Sequence, residues 1–232
     1  MHVKKGQRLL DVGCGPGGDA MALARLVGRK GFVVGVDSER GFIETAQRCA
    51  LSAGLASRMH FRIVDLLPLP FRSDEFDATR SERTFQHLTD PEPALAEMVR
   101  VTRPGGRMVL VDIDWVSASV DSPFPGVERL LKRILIDEVI PNPYAGRSLY
   151  RLMRAQRLEE IEVESIPVTI SALHDLRQLA NFDRCEAIAL ERALISEERL
   201  AQWRAALVQA EAERTLFAQV NLLLVAGVVP AA

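Results

Sequence analysis

The chain has 232 residues, of which 48% are hydrophobic and 26% charged, and its formal net charge is −2 at pH 7. This is an ordinary globular composition with enough chain for one large core, and its charge balance calls for neither nucleic acid nor an anionic membrane as partner. The three cysteines, Cys14, Cys49 and Cys185, are odd in number, far apart and in no metal-ligand spacing, which argues for reduced thiols in a cytoplasmic setting.

The first apolar run, Arg8 to Val12, begins so close to Met1 that no signal peptide is expected. It ends at glycine and reads as a strand, and a helix follows over Ala20 to Val27. Phe32 to Asp37 fits a strand buried on both faces, Phe42 to Ala53 a helix, and Met59 to Asp65 and Phe76 to Ser81 two further strands. Ala94 to Val101 reads as a helix stopped at RPGG, after which Arg107 to Trp115 is a strand. Strands alternating with helices at this spacing predict parallel βαβ units, and so an open sheet covered on both sides.

The second half is less regular. Ser117 to Pro125 reads as loop, and Val127 to Ile140 as an amphipathic helix broken by Pro141-Asn142-Pro143. Leu149 to Gln156 is expected to be helical, Ile161 to Ile170 extended, and Ala172 to Leu216 mostly helical, with a start at Ser196-Glu197-Glu198. Val220 to Val229 closes the chain as a strand, and the apolar run there is too short to span a bilayer.

Ligands of open parallel sheets sit beyond the carboxyl ends of the strands, where the strand order reverses. The chemically distinctive residues fall at those ends. Gly13, Gly15 and Gly17 follow the first strand, and Asp37 ends the second. Asp65 ends the third, Ser81 and Glu82 the fourth, and Asp112 and Asp114 lie in the fifth. Asp37 stands 22 residues after Gly15, where an acidic side chain can accept both hydroxyls of a ribose. Taken alone, the turn DVGCGPGG leaves open a phosphate, a dinucleotide or no ligand at all.

The pieces LLDVGCGPGG, VVGVDSE, FRIVDLLPLPF, FDATRSERTFQHL and LAEMVRVTRPGGRMVLVD, in that order, resemble the class I S-adenosylmethionine-dependent methyltransferases. The likeness is to the small-molecule branch similar to ubiquinone and menaquinone methyltransferases, and VNLLLVAG resembles the last strand of that family. The resemblance implies a doubly wound, Rossmann-like α/β sheet of seven strands in the order 3-2-1-4-5-7-6, the last strand antiparallel, with a helical cover over the substrate mouth. It implies a single domain, with residues 1–115, 157–170 and 217–230 as core and 116–156 and 171–216 as cover. S-adenosyl-L-methionine is the implied donor and S-adenosyl-L-homocysteine the product. Asp11 would lie near the donor's ammonium, directly or through water, and Gly13 and Gly15 would let backbone approach its tail and sugar. Asp37, with Ser38 beside it, would hold the ribose. Phe42 would lie on the adenine, Asp65 would accept from the adenine amino group next to the Leu66 backbone, and Ser81 would offer backbone contacts near the methionine part.

A dinucleotide oxidoreductase is the first rival, but an acid at the strand end disfavours a pyrophosphate, and the position four after Tyr150 is Arg154 rather than the lysine short-chain dehydrogenases need. The PNPY segment, Pro141 to Tyr144, resembles the motif of amino-methylating nucleic-acid enzymes but stands after the wrong strand and reads as a helix-stopping loop. Methyl transfer needs alignment and, for some nucleophiles, removal of a proton. His87 and Asp114 are the candidates for that step, with Arg83 and Trp115 as candidate substrate contacts. No metal is expected, and the partners are a small molecule and, for the chain itself, a homodimer. Two alternatives remain: a donor-binding relative that catalyses another reaction such as a cyclisation, and a binding protein without turnover. Relatives carry a few tens of residues before their first strand, so a lid over the donor would come here from Val127 to Tyr150 or from a partner chain, or the donor site would be unusually open.

Overall fold

Leu9, Leu10 and Val12 alternate across β1 (Arg8–Val12) and all three are buried, as a strand covered on both faces requires. The computed structural model, which describes residues 1–65 and 67–231, places β1 between two parallel neighbours. These are β2 (Phe32–Asp37) and β4 (Phe76–Glu82), and their register sets Asp11 opposite Gly35 on one side and Arg80 on the other. β3 (Met59–Ile63) extends the sheet beyond β2. Helix α1 (Gly18–Val27) follows the first glycine turn and buries Ala20, Leu23, Ala24 and Val27. Helix α2 (Arg40–Ser52) starts two residues earlier than its apolar pattern suggests, because the Glu39 carboxylate accepts from the Gly41 N–H at 3.3 Å and caps the first turn.

After α3 (Glu92–Val101) comes β5 (Thr102–Val120), a much longer strand than expected. Its register against β4 jumps from Phe76–Thr102 to Ala78–Arg107, so Arg103 to Gly106 bulge out, with Gly105 at φ +71°. At its other end the segment read as loop from Ser117 continues as strand to Val120. There the Ser117 hydroxyl accepts from the Asn221 N–H at 2.9 Å and the Phe217 carbonyl accepts from the Asp121 N–H. The remaining elements are α4 (Pro125–Ile134), a π-helical turn over Leu135–Val139, α5 (Ala145–Ala155), β6 (Glu159–Ile170), α6 (Leu173–Leu179), α7 (Phe182–Glu191), α8 (Glu197–Ala212) and β7 (Ala218–Val228). The seven strands run in the order β3-β2-β1-β4-β5-β7-β6, with the last strand antiparallel, which is the doubly wound order expected.

The chain divides into two compact units. The first comprises Met1–Asp112, Ser148–Glu164 and Leu224–Ala232, and one of its cores gathers Leu9, Val33, Ile43, Phe61 and Ala78 with the inner face of α1. The second comprises Ile113–Arg147 and Ser165–Leu223. Its core gathers Trp115, Leu131, Ile134, Phe182, Ile188 and Trp203. Glu186, 1% exposed inside this second unit, is held by Arg177 and Arg204, both at 2.9 Å, so its buried charge is compensated twice. No helix among the described residues is long and apolar enough to cross a membrane.

Candidate functional site

The turn after β1 is built by three left-handed glycines, Gly13, Gly15 and Gly17. Two of them lack a side chain for different reasons. A Cβ on Gly13 would stand 2.0 Å from the Thr84 hydroxyl oxygen, so this glycine makes room for a neighbouring loop rather than for a ligand. A Cβ on Gly15 would meet nothing within 4 Å, so here the bare backbone faces open space.

That space is a cleft of about 1070 Å³ within the first unit. Gly13, Gly15, Asp37, Ser38, Phe42 and His87 line it, together with Glu82, Arg83 and Thr84. Asp37 is fixed by two backbone donors: its Oδ2 accepts from Gly15 N–H and its Oδ1 from Glu39 N–H, each at 2.9 Å. Both oxygens keep lone-pair capacity for further donors such as hydroxyls. Phe42 sits in the first turn of α2 with 48% of its surface exposed, so it is a ring presented to the cleft and not a core aromatic. The lining carries the carboxylates of Asp37, Glu39 and Glu82 against one guanidinium, that of Arg83. Such a surface favours a cation and opposes a phosphate.

The segment after β4 shapes the rim. Arg83 takes φ +53°, and its N–H donates to the Val111 carbonyl at 2.8 Å, which turns the chain across the strand end. His87 closes a short 3-10 turn over Phe85–His87 and presents its ring to the cleft. Partial burial, and then the nearby Arg83 charge, lower its pKa below the usual histidine value, so the neutral imidazole is favoured at neutral pH. Ser81 lies behind this surface. It is 1% exposed and its hydroxyl donates to the Val12 carbonyl at 2.8 Å, tying β4 to β1 rather than lining the cleft.

Asp11 is also behind the turn, 1% exposed, and paired with a cation from the neighbouring strand. Its Oδ1 accepts from Arg80 Nη1 at 3.1 Å, and Arg80 also reaches Asp19 at 3.1 Å and Glu82 at 2.5 Å. Asp11 Oδ2 is buried without a hydrogen-bond partner among the described residues. Burial, partly offset by Arg80, pushes this carboxyl up to about 7.

The other expected residues lie elsewhere. β3 ends at Ile63, so Asp65 falls two residues past the strand, exposed and outside the cleft lining, and Leu66 lies outside the described residues. Asp114 and Trp115 belong to the second unit. There both oxygens of Asp114 accept from Arg147, at 2.8 and 2.7 Å, so it could act as a base only by leaving that bidentate pair. Trp115 lines a small apolar cavity of about 40 Å³ within that unit, with Leu131, Phe182 and Trp203. The PNPY segment is a loop ahead of α5, in which the Pro143 carbonyl accepts from the Trp115 N–H at 3.1 Å. Among the described residues no group of three or more His, Cys, Asp or Glu side chains is arranged to hold a metal ion.

Arg80, Thr84 and Arg147 were not foreseen. Each pairs with a residue distant in sequence, and none left a signal: β4 reads FDATRSE, where Arg80 is one of three charged positions. An aminoacyl nucleoside carrying positive charge fits what is present. Gly15 offers open backbone, Phe42 an exposed ring, Asp37 a fixed acceptor, and Asp11 a buried oxygen in need of a donor.

Residues 3–163 match the methyltransferase-domain family. An uncharacterized 37.1 kDa protein of transposon TN4556 from Streptomyces fradiae is 38% identical over 152 residues, which is 66% of this chain and 43% of that protein. The O-methyltransferase resE of Aspergillus sclerotiorum is 28% identical over 186 residues, 80% of this chain and 65% of its own. The crystal structure of the YcgJ protein from Bacillus subtilis matches 100% of this chain and 95% of its own at 20% identity with a TM-score of 0.69, a likeness of fold. The chain spans between 40% and 65% of the length of the first curated relatives it matches.

Proposed function

The chain belongs to the methyltransferase-domain family, and from that premise we propose that it transfers a methyl group from S-adenosyl-L-methionine to O, N or C of a small organic molecule. The observation that carries this reading is the cleft over Gly15, floored by bare backbone and lined by more acids than bases. In that reading Asp37 holds the ribose hydroxyls, Phe42 covers the adenine, and the Gly13–Gly15 backbone lies along the sugar and tail. Asp11 compensates the donor's ammonium, directly or through a water.

The donor supplies an activated methyl on a sulfonium that leaves as a neutral thioether. The chain's own task is then alignment, exclusion of anions and, for a hydroxyl or amine nucleophile, acceptance of a proton. His87 Nδ1 or Nε2 is the acceptor that the neutral ring supports. Arg83, on the cleft lining, is the candidate contact on the substrate side. The name of the fungal relative favours oxygen as the methylated atom. A single functional domain, a cytoplasmic location in keeping with the free thiols of Cys14, Cys49 and Cys185, and a homodimer belong to the same proposal.

The test is incubation with methyl-labelled donor and a panel of phenols, carboxylic acids, amines and activated carbon acids, followed by mass spectrometry. Label in a product, together with micromolar affinity for S-adenosylhomocysteine, supports the reading. Tight donor binding without transfer to any acceptor would favour a cyclase-like or sensing role, and absence of donor binding would overturn the reading.

A further inference from the structure

Arg80 breaks a general rule of buried strands. It stands in the central strand β4, is 9% exposed, and is the direct cross-strand partner of Asp11. Charged side chains are rarely buried unless paired, and here one guanidinium serves three carboxylates: Asp11 from β1, Asp19 from α1 and Glu82 from β4. Asp19 and Glu82 reach solvent, with side chains 62% and 33% exposed, so the buried pair of the cluster is Asp11 and Arg80. Its most buried member also has an oxygen without a partner among the described residues. A buried carboxylate oxygen without a donor is costly unless a ligand or water supplies one. Glu82 is the member of the cluster that lines the cleft over Gly15, whereas Arg80 and Asp19 line a separate cavity of about 350 Å³ with Met1, His2 and Leu23.

We propose that Arg80 is a positioning residue for the donor site, which holds Asp11 by one oxygen in its charged form and leaves the other oxygen to meet a ligand's ammonium. This rests on the reading of the cleft as a donor site. The arrangement works through geometry and charge together. The 3.1 Å bond to Oδ1 fixes the rotation of the carboxylate, and the guanidinium opposes the burial that drives Asp11 towards neutrality. Asp19 and Glu82 act in the opposite sense, as like charges. Gly35, the partner of Asp11 on the β2 side, brings no charge. The Met1 amino group and the Cys14 thiol, which burial pushes well above the usual thiol range, are further titratable neighbours of the pair.

The decisive experiment measures affinity by calorimetry from pH 6 to 8.5 for two probes. S-adenosylhomocysteine carries the amino acid tail, and 5′-methylthioadenosine lacks it. Wild type should bind the first more tightly as pH rises through about 7, and the second independently of pH. Arg80→Met should weaken S-adenosylhomocysteine at least about tenfold at pH 7, with recovery displaced to higher pH by a unit or more, and leave methylthioadenosine within about twofold. Arg80→Lys, which keeps the charge without the fork, should retain the wild-type pH midpoint at reduced affinity. If Arg80→Met does not fold, Arg80→Lys and Asp11→Asn decide, the latter by losing the pH dependence for S-adenosylhomocysteine alone. Superimposable profiles for wild type and Arg80→Met, or equal losses for both probes, would overturn the proposal. So would a displaced midpoint in Arg80→Lys or a persisting pH dependence in Asp11→Asn. Failure of wild type to bind either probe would instead overturn the donor reading on which it rests.

Discussion

Gly13→Ala and Gly15→Ala place the same methyl group two residues apart in one turn, and the structure predicts different losses for them. Both backbones are left-handed, at φ +70° and +51°, and a Cβ in that region costs about 1–2 kcal/mol. At Gly13 the methyl would also stand 2.0 Å from Thr84 Oγ1 and 2.9 Å from its Cγ2. Thr84 is not free to turn aside, since its hydroxyl lies 3.4 Å from the Val12 carbonyl and 3.2 Å from that of Glu82. Overpacking of this kind adds about 1–3 kcal/mol. Urea denaturation should therefore show Gly13→Ala losing about 2–5 kcal/mol and Gly15→Ala about 1–2 kcal/mol. Calorimetry should show the reverse emphasis: Gly15→Ala, whose methyl enters open cleft, should lose at least about tenfold in affinity for S-adenosylhomocysteine. Adding Thr84→Ala to Gly13→Ala should recover the overpacking part, a coupling of about 1–3 kcal/mol in a double-mutant cycle. Equal stability losses at the two glycines, or strict additivity with Thr84→Ala, would refute the reasoning.

Three further outcomes are expected. Asp37→Ala should weaken S-adenosylhomocysteine by about 10- to 150-fold in calorimetry, the worth of charge-assisted hydrogen bonds of about 1.5–3 kcal/mol; unchanged affinity would remove the ribose from this residue. The kcat/KM of a methylated substrate should rise with pH along a limb centred below the usual histidine value, because burial and Arg83 lower His87. His87→Asn should abolish that limb, and its survival would assign the proton to another group. Asp11 titrates at about 7 when folded against an ordinary 3.8. Between those values the folded chain holds a proton the unfolded chain has released, so this group's contribution to stability declines as pH rises and is level above. Ligand-free Asp11→Asn should therefore show less decline over that range in urea titrations, and a steeper decline would contradict the sign.

The strands were legible where the chain is least ambiguous. FVVGVD is buried on both faces and ends on an acid whose carboxylate reaches back to the glycine turn, whereas its spacing speaks only of a ribose acceptor. The strand order came from family likeness, not from periodicity. The Asp11–Arg80 pair was invisible because 69 residues separate its members and only the parallel register of β1 and β4 makes them neighbours. The Gly13–Thr84 contact has the same character. SASV, Ser117 to Val120, read as loop because its serines obscure an alternation that becomes meaningful once β7 supplies a donor opposite it. Asp65 was placed at a strand end by apolar run length, and β3 stops before it.

Both tryptophans of the chain, Trp115 and Trp203, are buried in the core of the second unit, and the first unit has none. Indole emission is thus a private optical channel to one half of the molecule. A thermal scan followed by fluorescence watches that half melt, whereas circular dichroism averages over the whole chain, so divergence of the two curves would resolve two unfolding steps without any label. Phe42→Trp would add a second colour centre at the cleft and let ligand arrival there be timed in a stopped-flow instrument.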